Sequence, residues 1–409
     1  MIMKKYFIPF VCILLFSLVL LSCTKKSTDH EPSANTRIQS SLQTMVDKIV
    51  TDYKSEFPGF PGGLAVKVTS KKGSYFVSSG FTGAINDQYH FRIASLTKVF
   101  TSTAVILLAQ QGKLNLDAKI TDTIPGTNMT YIPQDANYNI PYKDQITIRL
   151  LLEHNAGVFD VSNALVPDTV SAPVPYKGQW YIGYMENLDP NHTFTFDELV
   201  GVVSTCRLFL FPPGQGHHYS NTGYSILGKI IERVSGLSYP QFIAQNIFEP
   251  MGLNNSFAPY RGDDQLIPPP FIRGFRYSPA VVECTESNIS ANVGEGNLIS
   301  NADDLSRFIR SLVRGEGVLS PVWVNDYMLV IPKASFDVLN YALGITYAQN
   351  LGWGHTGSHE GYYTRMVSDP VNDITVVAFV NSWNEVPGAE IPLIVKLEEA
   401  CYYARNIVQ

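Results

Sequence analysis

Ser95 and Lys98, three residues apart in Phe91-Arg92-Ile93-Ala94-Ser95-Leu96-Thr97-Lys98, are the first pair in this chain able to do covalent chemistry. The segment reads as extended up to Ser95 and then as an apolar helix from Val99 to about Gln111. Residues three apart on a helix share a face, so hydroxyl and amine come within reach of one another. A serine is a poor nucleophile until a neighbour takes its proton, and Ser-x-x-Lys supplies one. At a helix start its backbone N–H also points to where an oxyanion could form. The same spacing equally describes a serine N-cap followed by a solvated lysine, and Ser22-Cys23-Thr24-Lys25 repeats it by chance. The pair therefore needs company.

Two further segments supply it. In Pro213-Gly214-Gln215-Gly216-His217-His218-Tyr219-Ser220-Asn221, Tyr219 and Asn221 lie two apart and face one way on an extended or turning backbone. A phenol can shuttle protons, and an amide can hold a substrate carbonyl or a lysine; the bland alternative is a turn with Asn221 as N-cap. Near the C-terminus, Gly354-His355-Thr356-Gly357-Ser358 reads as a strand whose glycine lets a substrate approach the backbone. Alone it would equally be His355 and Thr356 on a solvated strand face. His217-His218 is tempting as a metal pair, but adjacent side chains rarely point at one ion, and no metal or cofactor is expected.

The elements that would carry these residues alternate in a definite way. Thr36 to Tyr53 has helical spacing, and Gly62–Val68 and Gly73–Ser78 read as a hairpin around Lys71-Lys72-Gly73. From about Leu116 to Ser290, helices at Thr147–Glu153, Thr195–Ser204 and Gly223–Ser235 are separated by long loops. A helix over Asp303–Arg314 follows the turn Gly294-Glu295-Gly296-Asn297. Strands return at Ala342–Ala348, Leu351–Thr356, Tyr362–Asp369 and Ile374–Asn381, before a closing helix from Pro392 to about Arg405. The expected fold is an α/β domain completed by both chain ends, residues 41–115 and 291–409, with a mainly α-helical insertion, residues 116–290. A pocket between two such parts is the expected site.

The 409 residues suffice for a large core, and 45% hydrophobic with 16% charged residues is ordinary for a globular chain. A net charge of −6 without a basic run excludes a nucleic-acid footprint. At the N-terminus, Lys4 and Lys5 precede an apolar run from Tyr6 to Leu21 and then Ser22-Cys23. This looks like a bacterial lipoprotein signal, residues 1–22, with Cys23 as the lipidated residue and residues 23–40 as a tether. The expectation is an exported, periplasmic or outer-membrane-attached protein. Cys206, Cys284 and Cys401 are odd in number, widely spaced and expected as buried small apolar residues.

Ser-x-x-Lys, Tyr-x-Asn and His-Thr-Gly, in that order, resemble the serine β-lactamase and penicillin-binding-protein group, in its branch of class C β-lactamases, DD-peptidases and esterases. Phe91–Asp117, Ile146–Gly157, Phe211–Gly236, Ile247–Leu253, Gly294–Ile309 and Gly354–Ser382 carry the likeness. It implies an antiparallel sheet flanked by helices, with the helical subdomain inserted. It further implies Ser95 as acylated nucleophile, Lys98 as proton acceptor or as the cation that keeps Tyr219 ionised, and Tyr219 as base and then acid. Asn221 would bind the substrate amide, and the N–H groups of Ser95 and Ser358 would form the oxyanion hole. His355, Thr356 and Gly357 would line the pocket, with His355 or Thr356 meeting a substrate carboxylate. Lysine ordinarily titrates at about 10.4 and tyrosine at about 10, so either base must titrate roughly 3 pH units lower, about 4 kcal/mol of tuning. The two would titrate as a coupled pair.

His355 stands where lactamases of the group carry lysine, which looks more like the DD-peptidases, D-amino-acid amidases and esterases. His154-Asn155-Ala156-Gly157 replaces the usual His-Thr-Ser-Gly turn, a change expected to have no catalytic consequence, and Tyr362 and Tyr363 are candidates to crowd the pocket. No Gly-x-Ser-x-Gly elbow is present. The leading expectation is a D-alanyl-D-alanine carboxypeptidase or D-peptidase working through a Ser95 acyl-enzyme. A carboxylesterase or β-lactamase with the same machinery is the alternative, and a non-catalytic lipoprotein binding penicillin or wall peptides the remote one. The partners implied are a small peptide, ester or β-lactam, peptidoglycan, and a membrane reached by the lipid anchor.

Overall fold

A computed structural model describes residues 33–332 and 340–409; the signal segment and Cys23 lie outside the described residues. The first hairpin pairs strand β1 (Leu64–Ser70) with β2 (Gly73–Ser79), turning at Gly73, whose φ of 138° favours glycine. The chain returns to this sheet 267 residues later with β3 (Thr346–Ala348), β4 (Gly352–His359), β5 (Tyr362–Asp369) and β6 (Ile374–Val380). The spatial order is β2-β1-β6-β5-β4-β3, every neighbour antiparallel, with Leu64 opposite Val380 and Ser358 opposite Tyr363. Both chain ends thus build one antiparallel sheet.

Alternation along the strands buries both faces. Leu64, Val66 and Val68 of β1, with Val376, Ala378 and Val380 of β6, pack under helices α1 (Ala34–Glu56) and α7 (Glu390–Val408). Ala65, Val377 and Phe379 point the other way, into the larger core shared with α2 (Thr97–Gln110) and α6 (Ala302–Val313). The insertion supplies α3 (Tyr181–Leu188), α4 (Phe196–Cys206) and α5 (Asn221–Ser235), and α2 packs directly against α5. A short ribbon (Phe275–Tyr277 with Val281–Glu283) also belongs to the insertion, and Ser382–Asn384 joins it in parallel. The insertion is therefore stitched to the sheet domain rather than hung from it. Arg92, fully buried three residues before Ser95, adds to this by donating from Nη2 to the carbonyls of Gln265, Thr285 and Ser287.

Element boundaries move little from expectation. The helix expected from Thr36 starts at Ala34, because Ser33 caps it by accepting from the Thr36 N–H, so residues 34–40 of the expected tether are helical. The strand expected over Ala342–Ala348 is confined to Thr346–Ala348, since Ala342 and Gly344 form a tight turn. Cys206, Cys284 and Cys401 are buried free thiols.

Candidate active site

Within residues 91–100 every residue is buried except Ser95. The half-buried serine sits on a single 3-10 turn (Ala94–Leu96) that runs into α2, and Ala94 before it is held at a φ of 52°, in the left-handed region. That conformation is costly for alanine and persists only where the surroundings impose it. Here they do. Thr364 of β5 donates to the Ile93 carbonyl at 3.0 Å, and Gly357 of β4 presses against the same turn. A Cβ on Gly357 would lie 2.7 Å from the Ile93 carbonyl and 3.1 Å from the Ala94 Cβ, so the glycine is required by close approach.

Helix α2 brings Lys98 under Ser95. Its Nζ is fully buried, 3.2 Å from Ser95 Oγ, and lies over the Tyr219 ring, 4.8 Å from the centroid. Its strongest partner is one that the sequence did not reveal. Glu295, in the turn Gly294-Glu295-Gly296-Asn297, accepts from Lys98 through both its carbonyl and its carboxylate, each at 2.9 Å. Asn292 donates to the other carboxylate oxygen at 2.6 Å. Nothing in the spacing links Glu295 to a lysine 197 residues away; the only available signal was an acid in a glycine-rich turn.

This ion pair sets the protonation states. Burial disfavours the Lys98 ammonium, but the Glu295 carboxylate and Tyr219 outweigh it and hold Lys98 above its ordinary value. Burial raises Tyr219 as well, only partly offset by Lys98 and Ser95. Neither group is lowered as a base working near neutral pH would need: the resting site holds a charged lysine and a neutral phenol. Glu295 itself is pushed up by burial, with Lys98 pulling it back.

Tyr219 and Asn221 flank the N-terminus of α5. The cap is Ser220, which accepts from Gly223 at 3.2 Å, so Asn221 is the first helical residue and its side chain is free for other work. Asn221 is 5% exposed, and among the described residues its Oδ1 has no hydrogen-bond partner. His154, the residue kept in the altered His-Asn-Ala-Gly turn, supports Tyr219: its ring lies 4.2 Å from the phenol ring, and its Nδ1 accepts from the Ser220 N–H at 3.1 Å. Burial and the nearby Lys98 keep His154 far below its usual value, hence neutral.

Strand β4 forms the opposite wall. Thr356 and Ser358 alternate outward into the cleft while His355 and Gly357 turn inward. His355 Nδ1 lies 2.5 Å from the Thr356 carbonyl, and Tyr341 bonds Nε2 at 3.0 Å. Burial pushes His355 down to about 3, so it is neutral. Of the two tyrosines suspected of crowding, Tyr362 is fully buried and bonds the Ile272 carbonyl, while Tyr363 lines the cleft and donates to Glu390 at 2.9 Å.

The cleft has two arms meeting at Ser95, Asn163, Ser358 and Trp383. The larger, about 550 Å³, runs past Tyr219 and His355; the smaller, about 210 Å³, runs past Asn221, Trp180 and Glu186. Among the described residues no group of His, Cys, Asp and Glu could hold a metal ion.

Known proteins are similar to this chain in sequence and in fold. Penicillin-binding protein 4* of Bacillus subtilis (strain 168) is 29% identical over 304 residues, covering 68% of this chain and 57% of that protein. Probable hydrolase clz13 of Cochliobolus lunatus is 31% identical over 43% of this chain and 32% of its own length. The chain thus spans between about a third and little more than half of the curated relatives it matches. Among solved structures, the D-amino acid amidase from Ochrobactrum anthropi SV3 complexed with L-phenylalanine amide superposes with a TM-score of 0.67 at 23% identity, covering 90% of this chain and 99% of that one. The D-stereospecific amidohydrolase from Streptomyces sp. gives 0.67 at 22% identity, covering 84% and 94%. These structural likenesses establish the fold. The family model described as Beta-lactamase matches residues 55–399, and this chain belongs to that family of serine hydrolases.

Proposed function

We propose that the protein hydrolyses small D-configured amides or peptides through an acyl-enzyme at Ser95. The observation that carries this reading is the buried relay Ser95–Lys98–Glu295 opening on a two-armed cleft beside Tyr219. Ser95 Oγ attacks the carbonyl as its proton passes to Lys98, and Lys98 hands one of its own to Glu295. Glu295 suits this because burial has raised its affinity for a proton. The N–H groups of Ser95 and Ser358 face the developing oxyanion. As the intermediate collapses, Tyr219 gives its proton to the leaving amine and is replenished by Lys98, which recovers a proton from Glu295. The proton lost by Ser95 thus ends on the leaving group. Water then enters, and the same relay runs again to release the acid and restore Ser95.

Preference for D-configured substrates is supported by the names of the solved neighbours, a D-stereospecific amidohydrolase and a D-amino acid amidase. The test compares the D and L forms of one amino-acid p-nitroanilide. Turnover of the D form at least about tenfold faster is expected; equal rates or preference for L would overturn the reading. The Lys4-Lys5, apolar and Ser22-Cys23 sequence supports export and lipidation at Cys23, with wall peptides as the nearby substrate source. Radiolabelled palmitate that marks a Cys23→Ala variant as strongly as the wild type would reject the anchor.

A further inference from the structure

The charges along the cleft are one-sided. Among the described residues no lysine or arginine lines either arm, whereas Glu186, Glu295, Glu360, Glu390 and Glu398 do. Four of the five are already engaged. Glu295 pairs with Lys98, Glu360 with Arg276 at 2.8 Å and Glu398 with Arg365 at 3.0 Å, while Glu390 accepts from Tyr363. Glu186, half-buried on α3, has neither an ion-pair partner nor a hydrogen-bond donor among the described residues. Burial, and then Glu360, push its carboxyl above the usual range, as expected of a carboxylate that lacks a cation.

The smaller arm holds a second unsatisfied acceptor. Asn221 Oδ1 is buried, has no partner among the described residues, and belongs to a residue lining the same arm as Glu186. Tyr219, which serves the leaving group, lines only the larger arm. The smaller arm is therefore the seat of the acyl part, and both of its open polar positions call for N–H donors. A substrate carboxylate, by contrast, would meet no free cation: the Lys98 ammonium is paired with Glu295, and His355 and His359 are pushed down to about 3 and about 4.

We infer that the smaller arm selects acyl groups bearing a positively charged nitrogen, with Glu186 taking the ammonium and Asn221 Oδ1 an adjacent N–H. Resting on the hydrolase reading above, this narrows the substrate to amides or esters of amino acids with a free amino group, and disfavours peptides whose recognition depends on a terminal carboxylate.

The experiment compares D-alanyl p-nitroanilide with D-lactyl p-nitroanilide, in which hydroxyl replaces ammonium. It is run at about pH 7, below the pKa of about 7.7–8.0 typical of an α-amino group. The wild type is expected to favour the alanyl compound in kcat/KM by about tenfold or more, as befits a hydrogen bond between charged groups. In Glu186→Gln that ratio should fall toward 1, and in Glu186→Lys it should invert. An unchanged ratio in both variants, or a wild type indifferent to the ammonium, would overturn the inference. Failure to cleave either anilide while p-nitrophenyl acetate still acylates Ser95 would also count against it. Failure of Ser95 to react with any acyl probe would sink the hydrolase reading first, and this inference with it.

Discussion

Glu295→Gln is the most informative single change because it removes a charge and almost no volume. Two unit charges as close as the 2.9 Å between Lys98 Nζ and Glu295 Oε2 attract by about 4–6 kcal/mol at an effective dielectric near 20. Without that attraction, burial is the dominant influence left on Lys98, and its ammonium loses the support that holds it above the ordinary value. The relay also loses its final acceptor. Acylation of Ser95, followed by stopped flow with p-nitrophenyl acetate, should therefore fall by on the order of 10²-fold at about pH 6, the scale of a general-base contribution. The sign of the pH dependence follows. Lys98 in the variant binds its proton less tightly, so raising the pH frees a neutral amine that accepts the Ser95 proton directly, and the deficit shrinks. A variant as fast as the wild type at about pH 6, or a deficit independent of pH, would refute the proton route through Glu295. Circular dichroism of the variant checks that the fold survives, since an unpaired buried charge costs about 3–5 kcal/mol if Lys98 does not neutralise.

Other outcomes can be stated briefly. Gly357→Ala should lower both Tm and acylation rate, because its Cβ meets the Ile93 carbonyl at 2.7 Å and pushes the Ser95 turn from the sheet; wild-type kinetics would show that the turn is not held there. His154→Ala should slow acylation more than it weakens substrate binding, since the ring supports Tyr219 from 4.2 Å; a change confined to KM would contradict that role. Acid should destabilise the fold. His355 and His359 titrate at about 3 and about 4, below an unfolded value of about 6.5, so the unfolded chain binds more protons between these limits. Stability contributed by these neutral rings is complete above about pH 6.5 and drains away toward pH 3. Thermal melts that do not fall over that range would reject their burial as neutral groups.

Local pattern carried much of this molecule. The strand Tyr362–Asp369 and the helices beginning at Thr147 and Thr195 follow directly from apolar periodicity and from threonine caps that accept backbone N–H groups. Ser95, Lys98, Tyr219 and Asn221 were visible as short motifs, and the structure gathers them around one cleft. What was not legible is what depends on distant contact. Glu295 reads as part of a turn until the fold places it on Lys98, where it holds the ammonium charged, while burial keeps the Tyr219 phenol neutral. His154 reached Tyr219 by the same route, across 66 residues of separation from Ser220. The inward turn of His355 depended on strand register, which a short His-Thr-Gly motif does not specify.

The central claim is that Ser95 becomes covalently acylated. Intact mass of a soluble form covering residues 24–409, after brief incubation with a β-lactam or an activated D-alanyl ester, tests it most directly, with Ser95→Ala alongside. An added mass equal to the acyl group on the wild type and absent from the variant is the predicted result, with the peptide bearing Ser95 carrying the label. Equal labelling of both proteins, or turnover of the same compound by folded Ser95→Ala, would contradict the account.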